Sequence, residues 1–318
     1  MGRETTRVTI RPLRETDLPD AERIFRLAFG TFLGLRDPMR FGGDSDHVRG
    51  RFAAEPEAAL AAEIDGALVG SNFALRRGSL AFFGPLSVHP DVQGHGIAQR
   101  LVAATMDVFA RWGVRHAGLF TFAHSAKHVA LYQKFGFWPG YLMAVMAAPV
   151  DPKVQPAGAT LLSRLDASER AAALAGCRAI AGGLEPGLDA TAEIEAIARL
   201  GLGDTVLVRD PHGEVLAFAL CHCGAGTEAG SDVCFVKLGM VRRGGGEALL
   251  DRLLDGCRDL AVARALTTLL VGVSTANRAA YRRLLARGFR TEMQGVEMHR
   301  PEGPAYHTPE ALVLDDWR

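Results

Sequence analysis

Residues 85–98 read Pro85-Leu86-Ser87-Val88-His89-Pro90-Asp91-Val92-Gln93-Gly94-His95-Gly96-Ile97-Ala98. The apolar run 80–88 leading into them predicts a strand. After them Ile97, Leu101, Val102, Thr105, Met106, Val108, Phe109 and Trp112 recur at helical spacing. A strand that enters a helix through glycines is suited to an anion. The first helical turn has unpaired N–H groups and a partial positive charge, and glycine lets the backbone come close. Residues 93–98 can therefore hold a diphosphate without a lysine. The turn is not GxGxxG, no acidic residue suited to a ribose follows it on a strand, and no Gly-Lys-Ser/Thr follows Gly96. Dinucleotide-binding and P-loop readings are thereby disfavoured. Taken alone, the turn is equally a plain strand-to-helix connection.

Working outward, residues 7–13 read as a strand, and Asp17 precedes a helix running to about Phe29 with Pro19 in its first turn. A polar and aromatic connection spans 31–54. Strands follow at 58–64 and 68–75 around Asp65-Gly66, a hairpin signal. After the central helix come a strand (114–122), a helix (126–135) and a strand (138–147). Residues 149–158 hold three prolines and read as a linker. Beyond it, strands at 160–165, 205–208, 215–221, 233–238, 266–273 and 289–298 and helices at 167–180, 190–200, 249–260 and 277–286 repeat the order. A last extended piece is expected in the tail. Gln93 and Arg243 are 150 residues apart, and Gly136 and Gly288 152, each pair in like surroundings. Two matched elements in one order imply an internal duplication. The expectation is an α/β fold with a mixed sheet and helices on both faces, in two units, 1–150 and 151–318.

Composition narrows the function classes. Lys+Arg and Asp+Glu are both 36, so no basic excess points to nucleic acid. No apolar run suits a membrane span and the start lacks a signal-peptide core. Residues 1–6 fit the loose acylation pattern MGxxxS/T, which is short and frequent. The five cysteines lie in the second half without paired metal spacing, so no metal site is expected from them. They read as free thiols in a reducing cytoplasm.

The stretch 85–98 resembles motif A of the GNAT superfamily of N-acetyltransferases, Gln/Arg-x-x-Gly-x-Gly/Ala, with Gln93, Gly96 and Ala98 in the defined positions. Leu131-Tyr132-Gln133-Lys134-Phe135-Gly136-Phe137 resembles its motif B. The resemblance covers most of residues 5–148. It implies acetyl-CoA as cofactor, with Gln93, Gly94, His95, Gly96, Ile97 and Ala98 at the pyrophosphate and the backbone of Leu86, Ser87 and Val88 along the pantetheine arm. It also implies direct attack of an amine, with Tyr132 as general acid. Ser125 stands where the family often has Asn, which weakens one cofactor contact. In the second unit Arg243, Gly244, Gly245, Gly246, Ala248 and Asn277 fit a second cofactor site, but Leu284 takes the place of Tyr132 and Tyr281 lies three residues earlier. The chain resembles tandem two-domain members, with the second copy degenerate.

Two proton tasks follow from that chemistry. An alkyl amine with a pKa near 10 must lose a proton, and a departing thiolate must gain or share one. Tyr132 suits the second task, with core packing as its bland alternative. His124, past the strand 114–122, is the candidate base by position; His89 is closer to the loop but on the wrong side. The N–H of Val88 is the candidate donor to the tetrahedral oxygen. The segment with Phe29, Phe32, Arg36, Arg40, Phe41, Asp44, Asp46 and His47 is the candidate acceptor wall, for a small amine or a protein lysine, and is equally read as a partly exposed loop. The competing class is a non-catalytic acyl-CoA-binding or sensing protein, which would not need Tyr132. Acceptor, acyl length and oligomeric state are not legible.

Overall fold

The computed structural model describes residues 8–155 and 158–318. The acylation pattern 1–6, Arg7, and Pro156 and Ala157 of the linker lie outside the described residues. The first half runs β1 (Val8–Pro12), α1 (Leu18–Phe32), α2 (Arg49–Ala54), β2 (Leu60–Ile64), β3 (Ala67–Asn72), β4 (Ala74–Arg77), β5 (Leu80–Phe83), β6 (Ser87–Val88), α3 (Ile97–Arg111), β7 (His116–Thr121), α4 (Ala126–Gln133) and β8 (Trp138–Pro149). The second runs β9 (Thr160–Leu161), α5 (Ala167–Leu184), α6 (Thr191–Leu200), β10 (Gly203–Arg209), β11 (Val215–Gly224) and β12 (Gly230–Val241). It continues through α7 (Glu247–Ala263), β13 (Thr268–Ser274), α8 (Arg278–Ala286), β14 (Arg290–Arg300) and β15 (Val313–Leu314).

Two strand breaks set the geometry of the first half. The segments 68–75 and 80–88, expected as one strand each, divide at Phe73 and at Gly84-Pro85. Pro85 has no N–H to continue a ladder, and Gly84 sits at φ 147°, open to glycine alone. The breaks lie side by side, because the Gly84 N–H donates to the Phe73 carbonyl at 2.8 Å. On one side, β6 closes a four-stranded sheet of order β1-β2-β3-β6; on the other, β4 and β5 join an 11-stranded sheet. β5 runs parallel to β7 only from Leu80↔His116 to Phe82↔Gly118. Past that point β6 and β7 belong to different sheets and a cleft opens between them.

The large sheet has the order β4-β5-β7-β14-β8-β13-β12-β11-β10-β9, with β15 paired to β12. The strands that follow the last helix of each half, β8 and β14, are exchanged. β14 inserts against β7 (Val296↔Thr121 to Arg300↔Ala117), while β8 pairs with β13 (Thr268↔Pro149 to Ser274↔Met143). β8 and β14 also pair with each other. The linker consequently begins one residue later than expected, since Pro149 is still in β8. The expected strand 160–165 shortens to two residues followed by a 3₁₀ turn.

Helices cover both faces, as the mixed pattern requires. α3 buries Ile97, Leu101, Val102, Thr105, Val108 and Phe109, the stripe read from the sequence. α7 buries Leu250, Leu253, Leu254, Cys257 and Leu260 under the second half of the sheet. α5 starts at a reciprocal cap in which the Glu169 N–H donates to Asp166. All five cysteines are free.

A buried ionic network fills the seam between the halves. Arg51 on α2 forks onto Glu228 with both contacts at 3.0 Å, and donates to the carbonyls of Gly84 and Arg318. Lys237 on β12 lies 2.7 Å from both Glu228 oxygens. Arg77 on β4 bonds Glu193 at 2.7 Å and Asp315 at 2.5 Å. Tyr306 and Trp317 extend the chain, the indole donating to the Tyr306 hydroxyl at 2.6 Å and that hydroxyl to Asp315. Burial alone would raise the pKa of Glu228, but Arg51 and Lys237 outweigh it and hold the carboxyl well below the usual range.

Removing one member of such a network strands the others. Arg51→Ala should cost about 3 kcal/mol in urea unfolding. A depressed folded pKa contributes stability above the unfolded value of about 4.3, lost as pH falls toward the folded value. The urea midpoint of the wild type should therefore drop as pH goes from 6 to 3, and Glu228→Gln should start lower and fall less steeply.

Candidate functional site

β6 is an edge strand, and its register decides which of its backbone groups are free. Ser87 faces Ser71 and Val88 faces Gly70 on β3, and the His89 N–H donates to Val69 O at 2.8 Å. Bonded pairs alternate along an antiparallel ladder, so 69↔89 and 71↔87 are the bonded pairs. Leu86 and Val88 then turn their N–H and C=O to the open edge, toward the cleft. Ser87 differs from its neighbours: its backbone is spent on Ser71, and its hydroxyl lies 3.2 Å from that of Ser71.

From β6 the chain runs into the glycine turn. Gly94 and Gly96 have φ of 87° and 74°, a region that penalises any side chain. Gln93 folds back, its amide donating to Val88 O at 3.3 Å, and His95 Nδ1 lies 3.0 Å from Val92 O. The first helical bond of α3 is Arg100 N–H to Gly96 O at 3.1 Å. Among the described residues, none of the N–H groups of residues 94–99 finds an acceptor. These donors are contiguous with the unpaired edge of β6, on which the Val88 carbonyl accepts from Gln93. Ile97 contributes only backbone, because its side chain is buried.

Tyr132 projects from α4 into the core beneath the cleft. It is 8% exposed, its ring meets Phe83 edge-on at 5.8 Å, and its hydroxyl has no hydrogen-bond partner among the described residues. Burial pushes its pKa up from 10.0, which keeps the phenol protonated. Ser125 is buried at the start of α4 and its hydroxyl caps nothing. His124 is exposed and stacks on Phe32 at 5.5 Å and 15°, beside Phe122 and His128.

The expected acceptor wall divides in two. Phe29 and Phe41 stack at 5.3 Å and reach the end of β7 through Phe122, 6.4 Å from Phe29. Arg36 and Arg40 are exposed without an ion-pair partner among the described residues. The acids serve the scaffold instead. Asp44 bonds Ser231 of the second half, and Asp46 accepts from Val48 and Arg49 at the start of α2. Burial lowers the pKa of His47, which lies against Phe25 and so stays neutral. Arg51, which sequence reasoning missed, grips the Gly84 carbonyl at the root of the cleft. In Val48-Arg49-Gly50-Arg51-Phe52 nothing sets it apart from its neighbour Arg49.

The second half has a comparable strand–glycine–helix passage, but its edge is covered. β15 pairs with β12 at Gly239↔Leu314 and Met240↔Val313, and the Val241 N–H donates to Leu312 O at 3.1 Å. Asn277, fully buried, donates its side-chain amide to Val313 O at 3.1 Å. A Cβ on Gly272 would lie 2.3 Å from Asp316, so the tail sits directly on β13. Arg243 turns away to the carbonyls of Gly183 and Leu184, both at 3.1 Å, at the end of α5. Gly244 and Gly246 keep positive φ, and Leu284 is buried.

Residues 23–137 match the model of the Acetyltransferase (GNAT) family. Solved structures with the same fold include a candidate acetyltransferase from Pyrococcus horikoshii, 16% identical with a TM-score of 0.67, covering 96% of this chain and 93% of its own. A GCN5-related N-acetyltransferase from Sphaerobacter thermophilus is 18% identical with a TM-score of 0.56, over 92% and 95% of the two chains. A glucosamine N-acetyltransferase region of a fungal multi-domain β-N-acetylglucosaminidase is 16% identical with a TM-score of 0.63, over 92% of this chain and 38% of that one. No curated protein matches the sequence. These likenesses show the fold, and they extend over both halves. No helix among the described residues is long and apolar enough to cross a membrane.

The tail contact gives a stability prediction. Asn277→Ala leaves the buried Val313 carbonyl short of a donor and should cost about 1–2 kcal/mol in urea unfolding.

Proposed function

We propose that this protein is an N-acyltransferase that moves an acetyl group from acetyl-CoA to an amine. In this reading it is a tandem of two copies, residues 1–150 catalytic and residues 151–318 degenerate. The observation that carries the reading is the contrast between two strand edges. That of β6 is uncovered beside a run of free N–H groups, whereas that of β12 is taken by the chain's own tail. An extended amide-bearing ligand can pair with the first edge as β15 pairs with the second.

The cofactor supplies the acyl thioester. The N–H groups of residues 94–99 would bind its diphosphate, with the partial positive charge of α3 behind them. Leu86 would pair with its amide arm, and the Val88 N–H would donate to the oxygen on which charge develops. Tyr132, held protonated by burial, would give its proton to the departing sulfur. His124, just past β7, is the proposed base, drawing a proton from the amine through water.

The acceptor is a small amine or a protein lysine, approaching over Phe29, Phe32 and Phe122 with Arg36 and Arg40 at the rim. The glucosamine named for the fungal relative is a precedent for an amine acceptor. Five free thiols suit work in a reducing cytoplasm.

Calorimetric titration of acetyl-CoA is the test. One site per chain is expected, lost in a Gln93→Glu/Gly96→Asp variant and kept in Gly244→Ala/Gly246→Ala. Tyr132→Phe should bind normally and slow acetyl transfer by about 10²-fold. Binding that survives the first variant would remove the cofactor from residues 93–98. Binding without transfer to any of a panel of amines would favour the non-catalytic, sensing class.

A further inference from the structure

Away from the cleft, three polar side chains meet inside the sheet. Glu297 and His299 stand two apart on β14 and so share a face. His307 comes from the tail that follows. They are 0%, 2% and 1% exposed, and one ligating atom of each lies within 4.8 Å of the others. Glu297 Oε2 is 2.7 Å from His307 Nδ1. Glu297 Oε1 is 3.2 Å from His299 Nε2 without forming a hydrogen bond to it. Among the described residues the buried Nε2 of His307 has no hydrogen-bond partner, and that of His299 has only the 3.2 Å contact with Glu297.

A buried unpaired nitrogen costs about 1–3 kcal/mol. One such nitrogen on His307, and a second on His299 held only by a poorly aligned contact, both beside one carboxylate, call for a common partner. A cation answers all three groups at once, and two imidazoles with one carboxylate form a zinc-type ligand set. A tetrahedral site with bonds of about 2.0–2.2 Å separates its ligand atoms by roughly 3.4 Å, a spacing within the 4.8 Å that contains one ligating atom of each residue. Magnesium and calcium prefer all-oxygen shells.

The surroundings fit the same reading. His299 Nδ1 lies 3.0 Å from His116 Nε2, which orients the ring and frees the Nε2 lone pair. The Tyr141 N–H donates to Glu297 Oε1 at 3.1 Å. Trp317 covers the cluster, with ring centroids 4.9 Å from His299 and 4.7 Å from His307. On the other side is exposed Gly140, where a Cβ would sit 3.1 Å from both Glu297 Oε1 and His299 Nε2. The ligands are thus one backbone away from solvent, with an approach that a side chain would obstruct.

We propose that Glu297, His299 and His307 bind one zinc-type divalent ion, which fastens the tail carrying β15 to the exchanged strand β14. The acyl-transfer reading plays no part in this site, and the test reads metal rather than transfer.

The full chain, freed of metal by dialysis against a chelator, is titrated with Co²⁺ and then with Zn²⁺. One equivalent of Co²⁺ should give visible d–d absorption of a low-coordinate nitrogen/oxygen site, displaced by one equivalent of Zn²⁺. Saturating Zn²⁺ should raise the thermal midpoint by about 5 °C. His307→Gln should abolish both signals. Gly140→Ala, whose backbone tolerates a side chain, should keep the fold and weaken Co²⁺ at least 10-fold. The proposal fails if the wild type binds no stoichiometric Co²⁺, or if Gly140→Ala and a folded His307→Gln bind it as the wild type does.

Discussion

The pairing of β8 with β14 is the contact on which the rest of the structure depends. Each strand follows the last helix of its half, and each pairs with a strand of the other half as well as with its counterpart. Backbone hydrogen bonds inside a sheet are obligatory when buried. The two halves therefore share a single ladder instead of touching through side chains. The seam chemistry follows from this closeness. Arg51 and Arg77 come from the first half, and Glu193, Glu228, Lys237 and Asp315 from the second. Their charges would be costly to bury if the exchange did not hold them in register.

The same frame makes the two halves unequal. Both have a strand running into a helix through positive-φ glycines, and both need something beside that strand. In the first half the break at Phe73 and Gly84-Pro85 leaves the edge of β6 bare. In the second, the tail supplies two residues of strand and Asn277 secures them. A segment that satisfies its neighbours with its own backbone leaves no demand for a ligand there. Under the proposed function, degeneracy of the second copy would have a physical form: Leu284 in place of a tyrosine, and a peptide on the edge where an amide-bearing arm would otherwise lie.

Much of this was legible in the sequence. The glycine turn ahead of α3, the buried stripe of α3 and the repeated order of elements came from local spacing, which neighbouring residues report, whereas Tyr132 was singled out only by the resemblance to motif B. The splay was half legible, since Gly84-Pro85 is a strong breaker inside a run that otherwise reads as one strand. The exchange of β8 and β14 was not, because either partner strand presents the same alternation and only tertiary context chooses. Asp44 and Asp46 looked like pocket acids. Their roles depend on Ser231 and on the turn before α2, contacts that composition does not announce. Glu297 and His299 carried a readable two-residue spacing, but His307 sits in a tail with no periodicity to place it.

The exchange also bears on how the chain reaches its folded state. As synthesis proceeds from the N-terminus, β7 and β8 emerge roughly 150 residues before β14, a delay of about 8–30 s at roughly 5–20 residues per second. Throughout that interval the first half is a sheet with an unfilled slot, its edge amides open to whatever strand arrives. The natural filler is β14 of the same molecule, but β14 of a neighbour on the same messenger is chemically identical. Nascent-chain crowding would then decide between a closed monomer and a reciprocally exchanged pair.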